Sequence, residues 1–311
     1  MVIVGLISIF VGQLLIFNDR AYQTVDQTSE SQQNLRAAMD LIERDLRHAG
    51  MMVPEDAGIC GVDNDNAPDR LYVSDWSAID SGNDFSDYGG SAILLPPTLN
   101  TGVTLTLSLS SLLMEPSPPL RAAYDTNGDG TNDSDFRPGG GIIIADPGSP
   151  DRGTACGTVQ SVDLANDRVD VVLVTTLDNP ATGGVIAVPA IEYRVTGNQL
   201  FWNGTLLAAG IEDFQVAYFF DLNEDNIVDP NDVQGDGVGI DYASNDEPAR
   251  LLREVRASLV ARTRREDPEF DKGQLQTREN RDPTGVSDGF RRRTVTTRVR
   301  LRNIGTRLGV V

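Results

Sequence analysis

The chain contains 311 residues, of which 40% are hydrophobic, and this composition is typical of a globular protein with its own core. It excludes a disordered chain and leaves room for one large domain or two small ones. The 46 acidic and 26 basic residues give a net charge of −20. Nucleic acid is therefore not an expected partner, because binding it depends on basic side chains.

The charge is distributed unevenly along the chain. Residues 250–311 carry 16 basic and 8 acidic side chains, whereas residues 1–249 carry 10 basic and 38 acidic ones. We expect the C-terminal arginines to line the solvated face of strands and to balance acidic neighbours. A docking surface for an acidic partner is the alternative interpretation.

The first element is the uncharged apolar segment MVIVGLISIFVGQLLIF at residues 1–17. It lacks the basic start and the small-residue cleavage site of a secretory signal peptide. Its length falls just short of the ~18 to 20 residues that cross a bilayer as a helix. By itself the segment predicts a marginal membrane span.

The helical pattern continues beyond this segment. Apolar residues recur at the spacing of one helix face, at Leu35, Met39, Ile42 and Leu46. Gly50 followed by Pro54 provides a stop, so we expect one helix over residues 1–50 and a body over residues 51–311. Such a helix is roughly 70 Å long at about 1.5 Å per residue, so its first part has to be buried outside a small domain. It either anchors the body in a membrane or also packs with related helices in a filament.

The body is predicted to be mostly β-structure. Residues 51–140 are rich in Gly, Pro, Asp and Ser and predict loops with a few strands, whereas the strand signal strengthens from Gly141. A hairpin turn is expected at Thr196, Gly197 and Asn198. Two late strands alternate, with Val255, Ala257, Leu259 and Ala261 on one face of the first, and Val295, Thr297, Val299 and Leu301 opposite Arg298, Arg300 and Arg302 in the second. We predict an α+β fold with long acidic loops, in which the amphipathic half of the helix covers one face of an antiparallel sheet.

Several stretches resemble one protein family in the same order along the chain. The apolar segment followed by LRAAMDLIERDLRHAG resembles the N-terminal helix of type IV pilins and pseudopilins, especially the PilW family of minor pilins. The stretches IEDFQVAYFFDLNEDNIVD, VRASLVARTRRE and DGFRRRTVTTRVRLRN resemble late strands of that family. Residues 55–210 match it only loosely.

One feature of the family does not appear before Met1. Pilin precursors carry a short basic leader, a glycine at the cleavage point, a phenylalanine that becomes the N-terminus and a glutamate soon after it. We expect Met1 to be an internal methionine with the true start upstream. This would lengthen the apolar run to a full membrane span.

The resemblance implies a minor pilin that is not an enzyme and that helps to initiate assembly of a type IV pilus, at or near its tip. Its body would lie in the periplasm on a single-pass inner-membrane helix and later in the extracellular pilus. Its partners would be other major and minor pilins, bound through Val4, Leu6, Ile9, Phe10, Leu14 and Phe17. A J-type pseudopilin of type II secretion is the alternative within this class. A membrane-anchored, calcium-dependent adhesin or binding module is the alternative outside it.

Two acidic stretches place oxygen-bearing residues at alternate positions. These are Asp125, Asn127, Asp129, Thr131 and Asp133 in the first stretch, and Asp221, Asn223, Asp225, Asp229 and Asp232, with the backbone carbonyl of Ile227, in the second. Because Ca²⁺ takes about six to eight oxygens, each stretch predicts an imperfect EF-hand-like calcium loop. The alternative is a solvated turn, which Asp, Asn and Gly favour without a metal. A shorter cluster, DNDNAPD at residues 63–69, is interpreted as a turn.

Two cysteines and a single histidine limit the remaining chemistry. Cys60 and Cys156 lack metal-binding spacing, and a disulfide between them is favoured over two buried thiols if the body lies outside the cytoplasm. His48 lies in the predicted helix, which excludes most histidine-dependent triads and zinc sites. The sequence does not exclude hydrolysis by a pair of carboxylates, but no motif identifies such a pair.

Overall fold

The structure is a computed structural model with one long helix and thirteen strands in its described part. The described residues are 2–51, 53–64, 66–78, 91–94, 101–111, 136–146, 153–163, 168–177, 185–225, 227–228, 249–267, 269–270, 272–276, 278–279, 281 and 287–304.

Helix α1 runs over Val2–His48 and is 47 residues long, as the sequence predicts. Arg47 and His48 place basic side chains in its last turn, beside the partial negative charge of the terminal carbonyls. The chain then turns at Gly50, where φ is +76° and an added Cβ would lie 2.6 Å from Ile304 Cγ1. A glycine is needed there for both the left-handed conformation and the close approach. Among the described residues, no helix combines the length and apolar character that a membrane crossing requires.

The larger of two antiparallel sheets holds the first ten strands. They are β1 Ile59–Val62, β2 Arg70–Ser74, β3 Ser91–Leu94, β4 Thr104–Ser111, β5 Gly141–Ala145, β6 Thr154–Asp163, β7 Arg168–Leu173, β8 Ile186–Thr196, β9 Gln199–Trp202 and β10 Thr205–Ala209. The order is β1-β2-β8-β5-β6-β7-β4-β3, and the β9–β10 hairpin continues from β8. A short 3₁₀ helix, Glu55–Ala57, connects α1 to this sheet.

This sheet is a feature that the sequence analysis underestimated, since it predicted only one covered sheet. All five residues of β5 are buried. Ile143 packs into the main core on one face, whereas Ile142 and Ile144 pack into a second cluster on the other. A strand buried on both faces has an unbroken apolar run, and such a run does not reveal which sheet it joins.

The smaller sheet consists of β11 Ile211–Phe220, β12 Leu252–Arg262 and β13 Arg292–Arg300, in that order and antiparallel. A 3₁₀ turn, Ala249–Leu251, leads into β12. The four residues predicted for the inner face of β12 are fully buried, namely Val255, Ala257, Leu259 and Ala261. The predicted inner face of β12 is therefore confirmed, and in β13 Val299 is buried between the exposed Arg298 and Arg300.

The second half of α1 covers this inner face. Leu35, Ile42 and Leu46 are each at most 1% exposed and belong to the same core as β12 and β13. The predicted α+β class, with a long helix packed on an antiparallel sheet, is confirmed.

The predicted hairpin lies between β8 and β9. Its two central residues, Gly197 and Asn198, have φ values of +59° and +60°. Two consecutive positive φ angles define the turn whose twist matches the flanking strands. The turn extends β8 into the β9–β10 hairpin, and the backbone carbonyl of Ala209 accepts a hydrogen bond from Asn34 Nδ2 of α1 at 3.3 Å.

The packing of α1 leads to a stability prediction. Ile42→Ala removes a fully buried side chain between helix and sheet, so we expect the free energy of unfolding to fall by about 2–5 kcal/mol. Asp40→Ala, at an exposed position of the same helix, should change it by about 0.5 kcal/mol or less. Urea denaturation of both variants in mild detergent measures the difference, and equal midpoints would contradict this packing.

Candidate assembly helix and acidic loops

Residues 9–17 of α1 expose apolar side chains on every side of the helix. Ile9, Phe10, Leu14 and Phe17, four of the predicted assembly residues, are 54–70% exposed. Val4 and Leu6 lie on the same helix, but their side chains are outside the described part of the structure. A helix that is apolar all round is stable when buried in lipid or among other helices.

The helix separates from the body near its middle. Gln27 Oε1 accepts a hydrogen bond from the backbone N–H of Arg265 at 3.1 Å. Nearer the N-terminus, Arg20 and Glu269 form an ion pair of 3.4 Å with both side chains at least 60% exposed, and such pairs stabilise little. A cleft of about 520 Å³ opens at this point, lined by side chains of both charges. The apolar end of the helix therefore projects away from the folded body.

A buried polar contact ties the other half of α1 to the larger sheet. The Tyr193 hydroxyl donates to Asp45 Oδ2 at 2.6 Å, and Arg44 Nη2 lies 2.7 Å from Asp45 Oδ1. Burial, and then the negative charge of Asp45, raises the pKa of Tyr193 well above its usual range. The sequence analysis missed this contact, although Asp45 falls within the apolar stripe beside Ile42 and Leu46 and was a signal for a buried partner.

The end of the helix is held by further contacts. The His48 ring stacks on Trp76 with 4.5 Å between ring centroids, and its Nδ1 lies 2.7 Å from the carbonyl oxygen of Arg44. The backbone N–H of Gly50 donates to Ser74 Oγ at 3.0 Å. His48, the single histidine of the chain, therefore contributes to the packing between helix and sheet.

The described half of the second acidic loop follows β11. Asp221 Oδ1 and Asn223 Oδ1 both accept from the backbone N–H of Asp225, at 3.0 and 2.9 Å. Asp225 Oδ1 accepts from the N–H of Ile227 at 2.8 Å. Such side-chain-to-backbone bonds are typical of turns rich in Asp and Asn.

Asp221 is also the acidic partner in a buried ion pair. Its side chain is fully buried, and its Oδ2 accepts from Arg253 Nε at 3.0 Å. A cation at this position would have to share that oxygen with the guanidinium group. The structure thus brings Asp221, Asn223 and Asp225 together, but it also gives them partners within the protein.

The remaining predicted calcium ligands fall outside the described residues. They are Asp229 and Asp232 of the second loop, and Asp125, Asn127, Asp129, Thr131 and Asp133 of the first. Across the described part of the chain, no three His, Cys, Asp or Glu side chains lie close enough together to hold a metal ion.

The two cysteines meet between β1 and β6. A disulfide joins Cys60 to Cys156, which are 96 residues apart in the chain. Thr175 lies beside it, and its Oγ1 accepts from the backbone N–H of Cys156 at 2.9 Å. The disulfide connects the edge of the larger sheet to its centre.

Comparison with known proteins gives a family match for the C-terminal half of the chain. Residues 177–303 match the family model PilW, described as Type IV Pilus-assembly protein W, which confirms the predicted resemblance over a range that is less than half of the chain. A type IV-like pilin from Thermus thermophilus is 14% identical, with 53% of this chain and 85% of that chain covered and a TM-score of 0.24. No curated protein matches the chain.

The cysteine pairing has a direct chemical test. In material isolated from the cell envelope and alkylated before digestion, mass spectrometry should find the peptides of Cys60 and Cys156 linked, because the structure places both sulfurs in one bond. Reduction should separate them. Two alkylated free thiols in unreduced material would refute the pairing.

Proposed function

We propose that this protein is a minor pilin that acts in the assembly of a type IV pilus. Two observations support the proposal. The apolar residues 9–17 of α1 are exposed although the second half of the helix is packed, and residues 177–303 match a family described by its role in pilus assembly. The exposed apolar surface of the helix is the main support for the proposal, because an isolated chain cannot bury this surface.

In the proposed mechanism, the apolar segment of α1 exchanges contacts with lipid for contacts with other pilin helices. The apolar segment of α1 lies first in the inner membrane, with the body in the periplasm, and then moves into a bundle formed by the helices of other pilins. Burial of apolar surface stabilises the helix by about 25 cal/mol per Å² relative to water in either place, so the exchange costs little. The disulfide fits this location, because such bonds persist outside the cytoplasm.

A place at or near the tip, and a role in starting the filament, follow from the resemblance to minor pilins. The charge of the chain also supports a role in which each pilus contains few copies of this protein. A chain with a net charge of −20 repels its own copies, which disfavours a filament built mainly from this protein.

The exposed helix face provides the test of this proposal. Phe10→Lys and Leu14→Lys place a charge on surface that would be buried among helices, and we expect each to reduce recovery in sheared filaments at least tenfold. Immunoblotting of filaments and membranes measures the recovery. Gln33→Lys is the matched control, since it adds the same single charge at an exposed position of the packed half of α1.

Replacing the apolar helix distinguishes a pilin from a membrane-anchored binding module. Residues 2–17 are replaced by an unrelated apolar helix of equal length, which preserves an anchor but not the packing surface. A pilin should lose its function in filament formation. Full function of the exchanged protein would instead support an adhesin or binding module without a role in assembly.

We also propose that Ca²⁺ stabilises the two acidic loops. The support is the alternate spacing of their oxygens and the repulsion among their carboxylates, which a divalent cation would reduce. In the second loop the ion would use Asp229 and Asp232 together with oxygens of Asn223 and Asp225. Asp221 would contribute only in part because of Arg253.

Calcium should raise the melting temperature of the full chain, because a ligand that binds only the folded state stabilises that state. At a concentration of one hundred times Kd, the free energy of unfolding rises by about 2.7 kcal/mol. Asp225→Asn should reduce the rise while keeping an oxygen for the N–H of Ile227, so that the melting temperature in chelator stays unchanged. Asp129→Asn tests the first loop. An undiminished rise in both variants would contradict calcium binding by the loops.

A further inference from the structure

The smaller sheet has one edge that is covered by the chain itself. At the outer edge of β11, the Asp69 N–H donates to the carbonyl of Phe214, and Asp69 Oδ2 accepts from the N–H of Val216, both at 2.8 Å. These are bonds that a neighbouring strand would otherwise make. The segment that contains Asp69 therefore takes the place of a strand, and a strand from another chain cannot pair there.

The opposite edge is formed by β13, which pairs with β12 and with no other strand in the described part of the chain. The Leu301 N–H donates to the carbonyl of Arg253 at one end of this pairing, at 2.8 Å. At the other end the Thr263 N–H donates to the carbonyl of Arg291, at 3.0 Å. The register between these bonds has no shift, so the odd-numbered residues of β13 bond to β12. The N–H and C=O groups of the even-numbered residues therefore point away from β12.

The middle of this edge is formed by Thr294, Thr296 and Arg298. Across the described ranges of the chain, their outward N–H and C=O groups have no backbone partner. Thr296 and Arg298 are exposed, and both threonines are β-branched and favour an extended strand. A row of unpaired backbone groups of this kind is a template for a further strand.

The arginines of β13 disfavour pairing with a second copy of the chain. Residues 287–304 carry six arginines and one acidic side chain, Asp288, although the whole chain is acidic. Antiparallel pairing of two copies about Thr296 would place Arg292 of one copy opposite Arg300 of the other. Like charges directly opposite each other destabilise a sheet. The same charges attract an acidic strand.

Two positive charges are available at the ends of the edge. Some arginines of this strand are already paired, as Arg298 is with Glu254. Arg293 at the start of β13 and Arg302 just beyond its end are exposed and form no ion pair with the residues that the structure describes. They are nine residues apart in the chain, which is about 30 Å in an extended strand. This span fits an extended segment of similar length with carboxylates near both ends.

We propose that the open edge of β13 binds an extended acidic segment of another pilin as a fourth strand of the smaller sheet. Backbone hydrogen bonds provide the affinity of such strand addition, and the flanking charges provide its selectivity. The edge belongs to the sheet on which α1 packs, so a strand bound here is held in a fixed position relative to the packed half of α1. The choice of a pilin as the source of the segment rests on the proposed function, whereas the chemistry of the edge does not.

Binding is tested with the full chain in mild detergent and a fluorescent peptide of alternating Val and Thr with Glu at both ends. Fluorescence anisotropy measures Kd. We expect saturable binding that becomes about tenfold weaker when both Glu residues of the peptide are replaced by Lys. Binding should be lost when the backbone amides of the peptide are N-methylated, because no donor then remains for the carbonyls of β13.

Thr296→Pro tests the edge itself. It removes an outward N–H and blocks the edge, but it takes no hydrogen bond from the pairing with β12, so the fold should persist. Thr296→Val is the matched control, because it keeps the N–H and the β-branched shape, and it should bind the peptide as the unchanged chain does. Circular dichroism identifies any variant that fails to fold.

A charge reversal tests the selectivity independently of the backbone. Arg302→Glu should weaken binding of the acidic peptide several-fold, because it places a negative charge beside the end of the edge. Arg168→Glu is the matched control, since Arg168 is exposed on β7 of the larger sheet, and it should leave Kd unchanged. Equal Kd values for these two variants would contradict the proposed role of charge.

The proposal is overturned if the unchanged chain does not bind the acidic peptide, or if folded Thr296→Pro binds it as tightly as Thr296→Val. In cells that are building pili, a photo-crosslinking amino acid at Thr296 should form an adduct with another pilin. An adduct only with a second copy of this chain would overturn the choice of partner. The peptide measurement does not depend on pilus assembly, so its failure is distinguishable from a failure of the proposed function.

Discussion

The packing of α1 on the inner face of β12 and β13 is the constraint on which the rest of the structure depends. Leu35, Ile42 and Leu46 are withdrawn from water because this small sheet presents a face of small and branched residues, with strands of the larger sheet completing the core. The packed half of the helix fixes the direction of the other half, which continues as the same helix to Val2. The exposed apolar end thus continues the helix that is packed into the core.

Polar contacts determine how firmly this extension is held. The buried bond between Tyr193 and Asp45 resists rotation of α1, because any turn of the helix would leave a buried carboxylate without its partner. A rigid helix transmits forces on the body directly to its apolar end. This property suits the proposed pilin, whose body would project from a helical bundle.

Local features of the fold followed from sequence, whereas long-range ones did not. The end of the helix near Gly50, the hairpin at Gly197 and Asn198, and the inner face of β12 all result from patterns within a few residues. The partner of Asp45 is 148 residues away, and no local pattern identifies it. For the same reason no local pattern shows that Asp69 accepts a hydrogen bond from the N–H of Val216 on β11. The predicted calcium loops lie largely outside the described residues and stay predictions.

The most direct measurement places a photo-crosslinking amino acid at Phe10, which is 70% exposed in the isolated chain. Illumination of sheared, lipid-free filaments should yield a covalent adduct with another pilin, and illumination of cells that lack the assembly machinery should yield adducts with lipid. A protein that crosslinks only to lipid in cells that are building pili would contradict the account, since its helix would then never have joined a bundle.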